Sequence, residues 1–384
     1  MFGRTSASKK IVAVAEVGSA GAAVAILATN ASGPAIVIDY ERVTLPFEDR
    51  TEAAMISGVL ASLSDAGQKL LARYTVGSYK GRAIADAYVI FDAPWIRSRS
   101  VQAATSFEKE TRITSAMIND TAKAAIATDA GVNADALIES TVVRVELNGY
   151  PTGNPVGKMA HRLSVAVLLS DCNETIRSGT TETLARLFPG SKQTMRSGSR
   201  ALVSAMKVVP DLGMDCVIMA VMAEATTVLI IRDGLAAQYV QISEGVRTIV
   251  KRISEKSTPE ETLSLLRMIE RDECTGDVCD TMTASMARVE IDLARVYGEA
   301  LTKIAVPTRL PSDLILVTHS DLTPWLTTFF ARIDFTQCTL TAQPFSVHAL
   351  GRADIAKLIT FDTVASPDVE LSVAGALVNT EARS

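Results

Sequence analysis

Apolar positions recur along the chain with two different periods, and the changes between them mark out its elements. Short runs rich in Val, Ile and Ala predict strands at 11–15, 22–27 and 36–40. Glu16 to Gly21 supplies the small residues of a tight hairpin, and Ser32, Gly33 and Pro34 form a second turn signal. A helix is predicted over 52–73, with Met55, Val59, Leu60, Leu63, Leu70 and Leu71 mostly on one face. Residues 83–91 alternate as a strand and run into Pro94 and Trp95, where Trp95 is expected to anchor a core. Helical spacing returns at 113–127. Two Val- and Leu-rich strands follow at 141–147 and 163–169, joined by a long turn that begins at Asn148-Gly149-Tyr150-Pro151. Helices near 174–187 and 196–206 lead to Asp211-Leu212-Gly213, read as a boundary.

The second half repeats that order. Strands are expected at 217–221, 227–232 and 235–242, with Asp233-Gly234 as a hairpin turn between the last two. Helices follow over 245–253, 258–271 and 278–304. In the third, Met282, Met286, Val289, Leu293, Val296, Ala300 and Ile304 form a stripe expected to be core. A strand buried on both faces is read at 314–318, a helix at 324–332 and an apolar helix at 369–378. Two halves that each open with a hairpin, a third strand and a helix point to an internally duplicated α/β fold with a cleft between the halves.

Composition narrows the function classes. With 384 residues and about 150 per domain, two to three domains are expected. Lys and Arg number 38 against 43 Asp and Glu, a net charge of −5 that offers no general attraction to nucleic acid or anionic lipid. The basic neighbourhood of Arg97, Arg99 and Arg112 reads as isolated charges on a solvated loop. Five cysteines and three scattered histidines (His161, His319, His348) give no zinc spacing. The cysteines are expected to be buried free thiols in a reduced, cytoplasmic protein. The apolar run 17–28 is too short and too rich in Gly, Ala and Ser to span a bilayer. Arg4, Lys9 and Lys10 ahead of 11–28 give a faint likeness to an export signal, which Glu16 and the glycines oppose. Residues 153–159 miss a P-loop, because the glycines are one residue too close and Met159 replaces the Ser or Thr that would hold Mg²⁺. His319, Ser320 and Asp321 adjoin in sequence, which seldom supplies the geometry of a hydrolase triad.

Several stretches resemble the actin-like ATPase superfamily, and within it the branch of the cell-division protein FtsA and the type IV pilus assembly protein PilM. They are Ile11-Val-Ala-Val-Ala-Glu16-Val-Gly18-Ser19; Glu146-Leu147-Asn148-Gly149-Tyr150 with Pro155 and Gly157-Lys158; Thr226-Thr-Val-Leu-Ile-Ile-Arg-Asp233-Gly234 with Gly245 and Thr248; Leu314-Ile-Leu-Val-Thr318-His319; and Val373-Ala-Gly-Ala-Leu-Val378. The resemblance implies a duplicated ribonuclease H-like fold, two lobes around a cleft, with an inserted subdomain. The parts expected are 1–80 with about 196–214 for the first lobe and 81–195 for the insert. The second lobe takes 215–254 and 305–384, with 255–304 as its helical part.

By the same resemblance, ATP and Mg²⁺ would meet Glu16, Gly18, Ser19, Glu224, Thr226 and Gly245, with Glu16 holding Mg²⁺ through water. Each of these also has a plain structural reading as a turn, strand or loop residue. No catalytic residue is assigned. The chain departs from the family pattern at the second hairpin, where Ala220 stands for an acid and Met222 and Ala223 for glycines. It departs again at Thr227, often an Asp, and at the adenosine side, where Thr318 to Asp321 replace glycines. These changes imply weak or absent ATP binding. The expected role is a cytoplasmic adaptor that takes a peptide of an inner-membrane protein or a division-filament protein. Direct membrane insertion is not expected, and self-assembly is left open. The alternative is an active, polymerising ATPase.

Overall fold

The computed structural model describes residues 10–30, 33–129, 136–206, 214–254, 257–306, 308–362 and 369–382. The expected boundary at 211–213 lies outside them. The first lobe begins with β1 (Lys10–Gly18), β2 (Gly21–Thr29) and β3 (Ala35–Thr44), an antiparallel meander. Then comes α1 (Glu52–Tyr74), capped by the Thr51 hydroxyl on the Ala54 N–H, which buries Val59, Leu63 and Leu70 against the sheet. The next strand, β4 (Asp86–Phe91), adds in parallel to β1. The chain then leaves through β5 (Ile96–Arg112), α2 (Ser115–Ala127), β6 (Leu137–Leu147), β7 (Tyr150–Pro151) and β8 (Met159–Cys172). It returns as α3 (Glu174–Leu187), β9 (Lys192–Ser197), parallel to β4, and α4 (Gly198–Met206).

The second lobe repeats the plan with β10 (Cys216–Val221), β11 (Thr226–Arg232), β12 (Leu235–Ile242), α5 (Val246–Ser254), α6 (Pro259–Glu270), α7 (Asp277–Ala305), β13 (Asp313–Thr318), α8 (Thr323–Arg332) and β14 (Ser346–Ala349). Sheet order makes the duplication explicit: β3-β2-β1-β4-β9 in the first lobe and β12-β11-β10-β13-β14 in the second, with the same parallel and antiparallel pairings. The expected stripe of α7 lies in the second-lobe core with Phe329 and Phe330. The turn Asp233-Gly234 has positive φ at both residues (52° and 72°), as a two-residue hairpin requires.

Finally α9 (Arg352–Ile355), β15 (Ile359–Phe361) and α10 (Val369–Glu381) cross back. Strand β15 pairs in parallel with β3, and α10 packs on α4, β1 and β2. Both helices α4 and α10 contribute to one apolar core shared by the inner faces of the two sheets, which includes Val14, Leu202, Ile218, Val317 and Leu377.

Several expectations change, among them the free thiols expected at Cys274 and Cys279, which form a disulfide. The insert is the four-stranded sheet β5-β8-β6-β7 with α2 on one face, so it spans 96–172 rather than 81–195. Strands β4 and β9 belong to the first-lobe sheet, and α3 packs on α1. Strand β15 likewise sits in the first lobe, not the second. Arg97, Arg99 and Arg112 stand on β5 rather than on a loop, and Arg99 pairs with Asp129 and Asp171. Asn148-Gly149 is a two-residue hairpin between β6 and β7 instead of the start of a long turn.

Cys274 and Cys279 form a disulfide. The positive φ of Asp272 (55°) and Gly276 (88°) folds the α6–α7 link back, bringing the two Cα atoms to 5.8 Å. Cys172, Cys216 and Cys338 are buried free thiols. Residues 11–28, weighed above as an export signal, form two central, fully buried strands. Among the described residues no helix is long and apolar enough to cross a membrane.

Candidate functional site

The two expected hairpins face each other across the lobes. In the first, Gly21 has φ 138°, and a side chain there would strike the Val43 carbonyl, so β3 backs the turn directly. The Ala20 carbonyl accepts the Leu45 N–H at 2.7 Å. Gly18 passes close to the carboxylate of Glu16, 3.0 Å from where a Cβ would stand. Ser19 is buried, with its hydroxyl unpartnered among the described residues.

Glu16 itself is buried and ion-paired with Arg42 at 2.7 Å. Its other neighbour is Asp92, a residue the sequence reading missed. Asp92 directly follows β4, just before the insert, is 8% exposed, and packs so tightly on Gly198 that no side chain fits there. Burial holds the Asp92 carboxyl well above the ordinary carboxylate range. The Glu16 charge, a hydrogen bond to Glu16 and the Glu370 charge add to this, and Arg42 opposes it. The Asp92 and Glu16 carboxyl groups thus share a hydrogen bond, with the Arg42 guanidinium paired to Glu16 beside them.

The second hairpin is closed on itself. Met222 N–H donates to Ala225 C=O at 2.9 Å. The N–H groups of Val246 and Arg247, at the start of α5, donate to the carbonyls of Met222 (2.8 Å) and Ala223 (2.9 Å). Donors of this kind are what a helix start would otherwise offer an anion. Gly245 permits the approach, since a Cβ there would lie 2.5 Å from the Ala223 oxygen and 2.6 Å from the Ala225 nitrogen. Thr226 is fully buried; its hydroxyl donates to the Glu244 carbonyl at 2.7 Å and meets the Tyr297 hydroxyl at 3.0 Å. Glu224 is partly exposed and lies 3.4 Å from the Arg247 guanidinium.

Glu16, Gly18 and Ser19 therefore gather at one hairpin. Glu224 projects from the other, while Thr226 and Gly245 are taken up by packing behind it. Beside the second hairpin, Asp92, Gly198, Met222, Val317, Glu370 and Val373 bound a small cavity of about 10 Å³. Just ahead of α8, the Asp321 N–H donates to His319 Nδ1 at 3.3 Å, and the Asp321 carboxylate lies 3.7 Å from Arg267. Among the described residues no group of three His, Cys, Asp or Glu side chains is disposed to hold a metal ion.

The roomier feature is a groove of about 540 Å³ where the first lobe, the insert and the second hairpin meet, lined by Met55, Pro94, Trp95, Arg97, Asn173 and Glu224. It adjoins a second cleft of about 600 Å³, since Met55 and Glu224 line both. Trp95 is 4% exposed, and its indole N–H has no acceptor among the described residues; Asp171, on the same wall, keeps one carboxylate oxygen unpartnered. A second unforeseen cluster holds the insert to the first lobe. Buried Glu139 on β6 accepts from the Ser197 N–H and hydroxyl at the start of α4 and from Arg200 at 2.8 Å. Nothing in its local sequence marks Glu139 for this role.

No family model matches this sequence, and no curated protein matches it. Solved structures do. The PilM-PilN type IV pilus biogenesis complex superposes with a TM-score of 0.63 at 10% identity, covering 97% of this chain and 98% of the other. The ethanolamine utilization protein EutJ from Carboxydothermus hydrogenoformans gives 0.48 at 10% identity, over 97% and 91% of the two chains. A protein of actin-like ATPase fold and unknown function from Bacteroides thetaiotaomicron gives 0.36 at 11% identity, over 91% and 94%. With its two equivalent lobes, its inserted sheet and its match to PilM along the whole chain, this protein has the actin-like ATPase fold in a PilM-like form.

Proposed function

We propose that this chain is a PilM-like adaptor that grips a short peptide of a membrane protein from the cytoplasmic side and does not turn over ATP. One contrast carries the reading. The N–H donors at the second hairpin are closed on its own carbonyls, whereas the groove beside Trp95 offers about 540 Å³ and unpartnered polar atoms on Trp95 and Asp171. A Mg-nucleotide does not fit the residues present. The Val246 and Arg247 N–H donors at the start of α5 and the Thr226 hydroxyl are already bonded, and Met222 and Ala223 stand where the resemblance expects glycines. The similarity to a PilM-PilN complex supports a protein partner rather than a small-molecule substrate.

Calorimetry with Mg-ATP, run beside thermal unfolding, tests the nucleotide half of this proposal. A ligand of the folded state must raise the melting temperature once it exceeds its dissociation constant. No heat and no shift at millimolar ATP is the expected result. Selection from a short-peptide display library tests the other half, and Trp95→Ala should abolish capture while Gly18→Val preserves it. The buried, unpartnered Ser19 hydroxyl at the first hairpin favours a second reading, an ATP-binding and polymerising protein. Mg-ATP hydrolysis lost in Glu16→Ala would establish that reading and overturn the adaptor.

A further inference from the structure

Between β3 and α1 the chain makes a short crossing that belongs to both lobes at once. Leu45 packs in the first-lobe core and lies against Gly58 of α1, while Phe47, two residues later, packs on the core of the second lobe. The backbone between them is held by one side chain from the other lobe. Arg247, in the first turn of α5, donates to the carbonyls of Pro46 (2.9 Å), Leu45 (3.2 Å) and Glu48 (3.4 Å), and its guanidinium carbon lies 5.4 Å from the centre of the Phe47 ring. One turn on, Lys251 pairs with Asp49 at 2.7 Å. Only a planar, multi-donor guanidinium can serve three carbonyls and a ring face together.

Each end of this arrangement reaches a hairpin. Leu45 N–H bonds the Ala20 carbonyl in the first turn, and Arg247 N–H bonds the Ala223 carbonyl in the second, with Glu224 beside the guanidinium. The shared core around α4 and α10 joins the inner faces of the sheets, and the 45–50 crossing joins the lobes a second time at their hairpin turns. We propose that residues 45–50 are a strap, latched by Arg247 and Phe47, that holds the two lobes closed on each other without any bound ligand. Closure in two-lobed proteins ordinarily requires a ligand that favours the closed state; here protein side chains supply that preference. The inference concerns lobe closure alone and stands apart from the identity of any partner.

Spin labels carried on unnatural side chains at the exposed Gln68 of α1 and Glu270 of α6 report the distance between lobes by pulsed electron resonance. The ligand-free protein should give a single narrow distance distribution. Arg247→Ala should lengthen and broaden it by several ångströms while far-ultraviolet circular dichroism stays unchanged. Phe47→Ala is the second variant, and should do the same if Arg247→Ala fails to fold. Distributions unchanged in the folded variants, or a broad distribution already present in the unmodified protein, would overturn the strap.

Discussion

Replacing Asp92 by asparagine tests the charge arrangement at the first hairpin. In the folded protein the Asp92 carboxyl is held above its ordinary value of 3.8 by burial first, then by the Glu16 charge and their shared hydrogen bond. In the unfolded chain it titrates near that ordinary value. Between the two, the folded state keeps a proton that the unfolded state has released, so stability falls as pH rises. The limiting slope for one proton is about 1.4 kcal/mol per pH unit. Below about pH 3.8 both states are protonated and the contribution is level; above the folded-state pKa the whole penalty is in force. Asparagine keeps the shape against Gly198 and still offers Glu16 a donor. Denaturant unfolding at intervals from pH 4 to pH 9 should show the variant gaining on the wild type as pH rises, then a constant difference. Parallel curves, or a variant that loses ground with rising pH, would refute the proton-sharing pair.

Thr226→Val should lower stability by about 1–3 kcal/mol, the cost of leaving the Tyr297 hydroxyl and the Glu244 carbonyl short of a partner, as measured by urea unfolding. Glu139→Ala should cost roughly 2–3 kcal/mol by the same measurement, since it strips a charged acceptor from Ser197 and Arg200, and limited proteolysis should then cut between the insert and the first lobe. Thiol titration of the unfolded protein should find three thiols before reduction and five after it; the double serine variant of Cys274 and Cys279 should be less stable by about 2 kcal/mol, given the short loop.

What the sequence disclosed follows from the range of the forces involved. Strands β1 and β2, the α7 stripe and the Asp233-Gly234 turn are set by neighbours a few positions apart, so their patterns stand out in one dimension. The insert was misjudged because β4 and β9 join by parallel pairing across about a hundred residues, which leaves no local mark. On β5, an edge strand, the charges of Arg97, Arg99 and Arg112 stand among many exposed polar positions and read as loop. The hairpin of Glu16 and Gly18 is legible from its small residues, but Asp92 beside it follows only from the parallel pairing of β1 and β4. A lone acid closing a strand parallel to the hairpin strand is the signal that would have raised it. Thr226 and Gly245 are expected at the phosphate side, whereas their packing depends on Tyr297 and on the 222–225 turn, contacts that no local pattern announces.

The return of β15 and α10 to the first lobe bears on how this protein is made. Thr360 bonds the carbonyl of Ala35 across 325 residues of sequence, and Leu371, Val373 and Leu377 complete the apolar layer over β1 and β2. A ribosome releases the first strands and α1 early, but their sheet lacks the β15 edge partner and the α10 cover on its other face until residues 359–381 emerge. The second lobe, whose sheet lies wholly within 216–349, has all its strands sooner. Long-range pairing of this kind delays folding. The nascent first-lobe sheet can pair its own strands and take up α1, yet one edge and the face that α10 covers stay open until the end of synthesis, so chaperone demand should fall on that lobe.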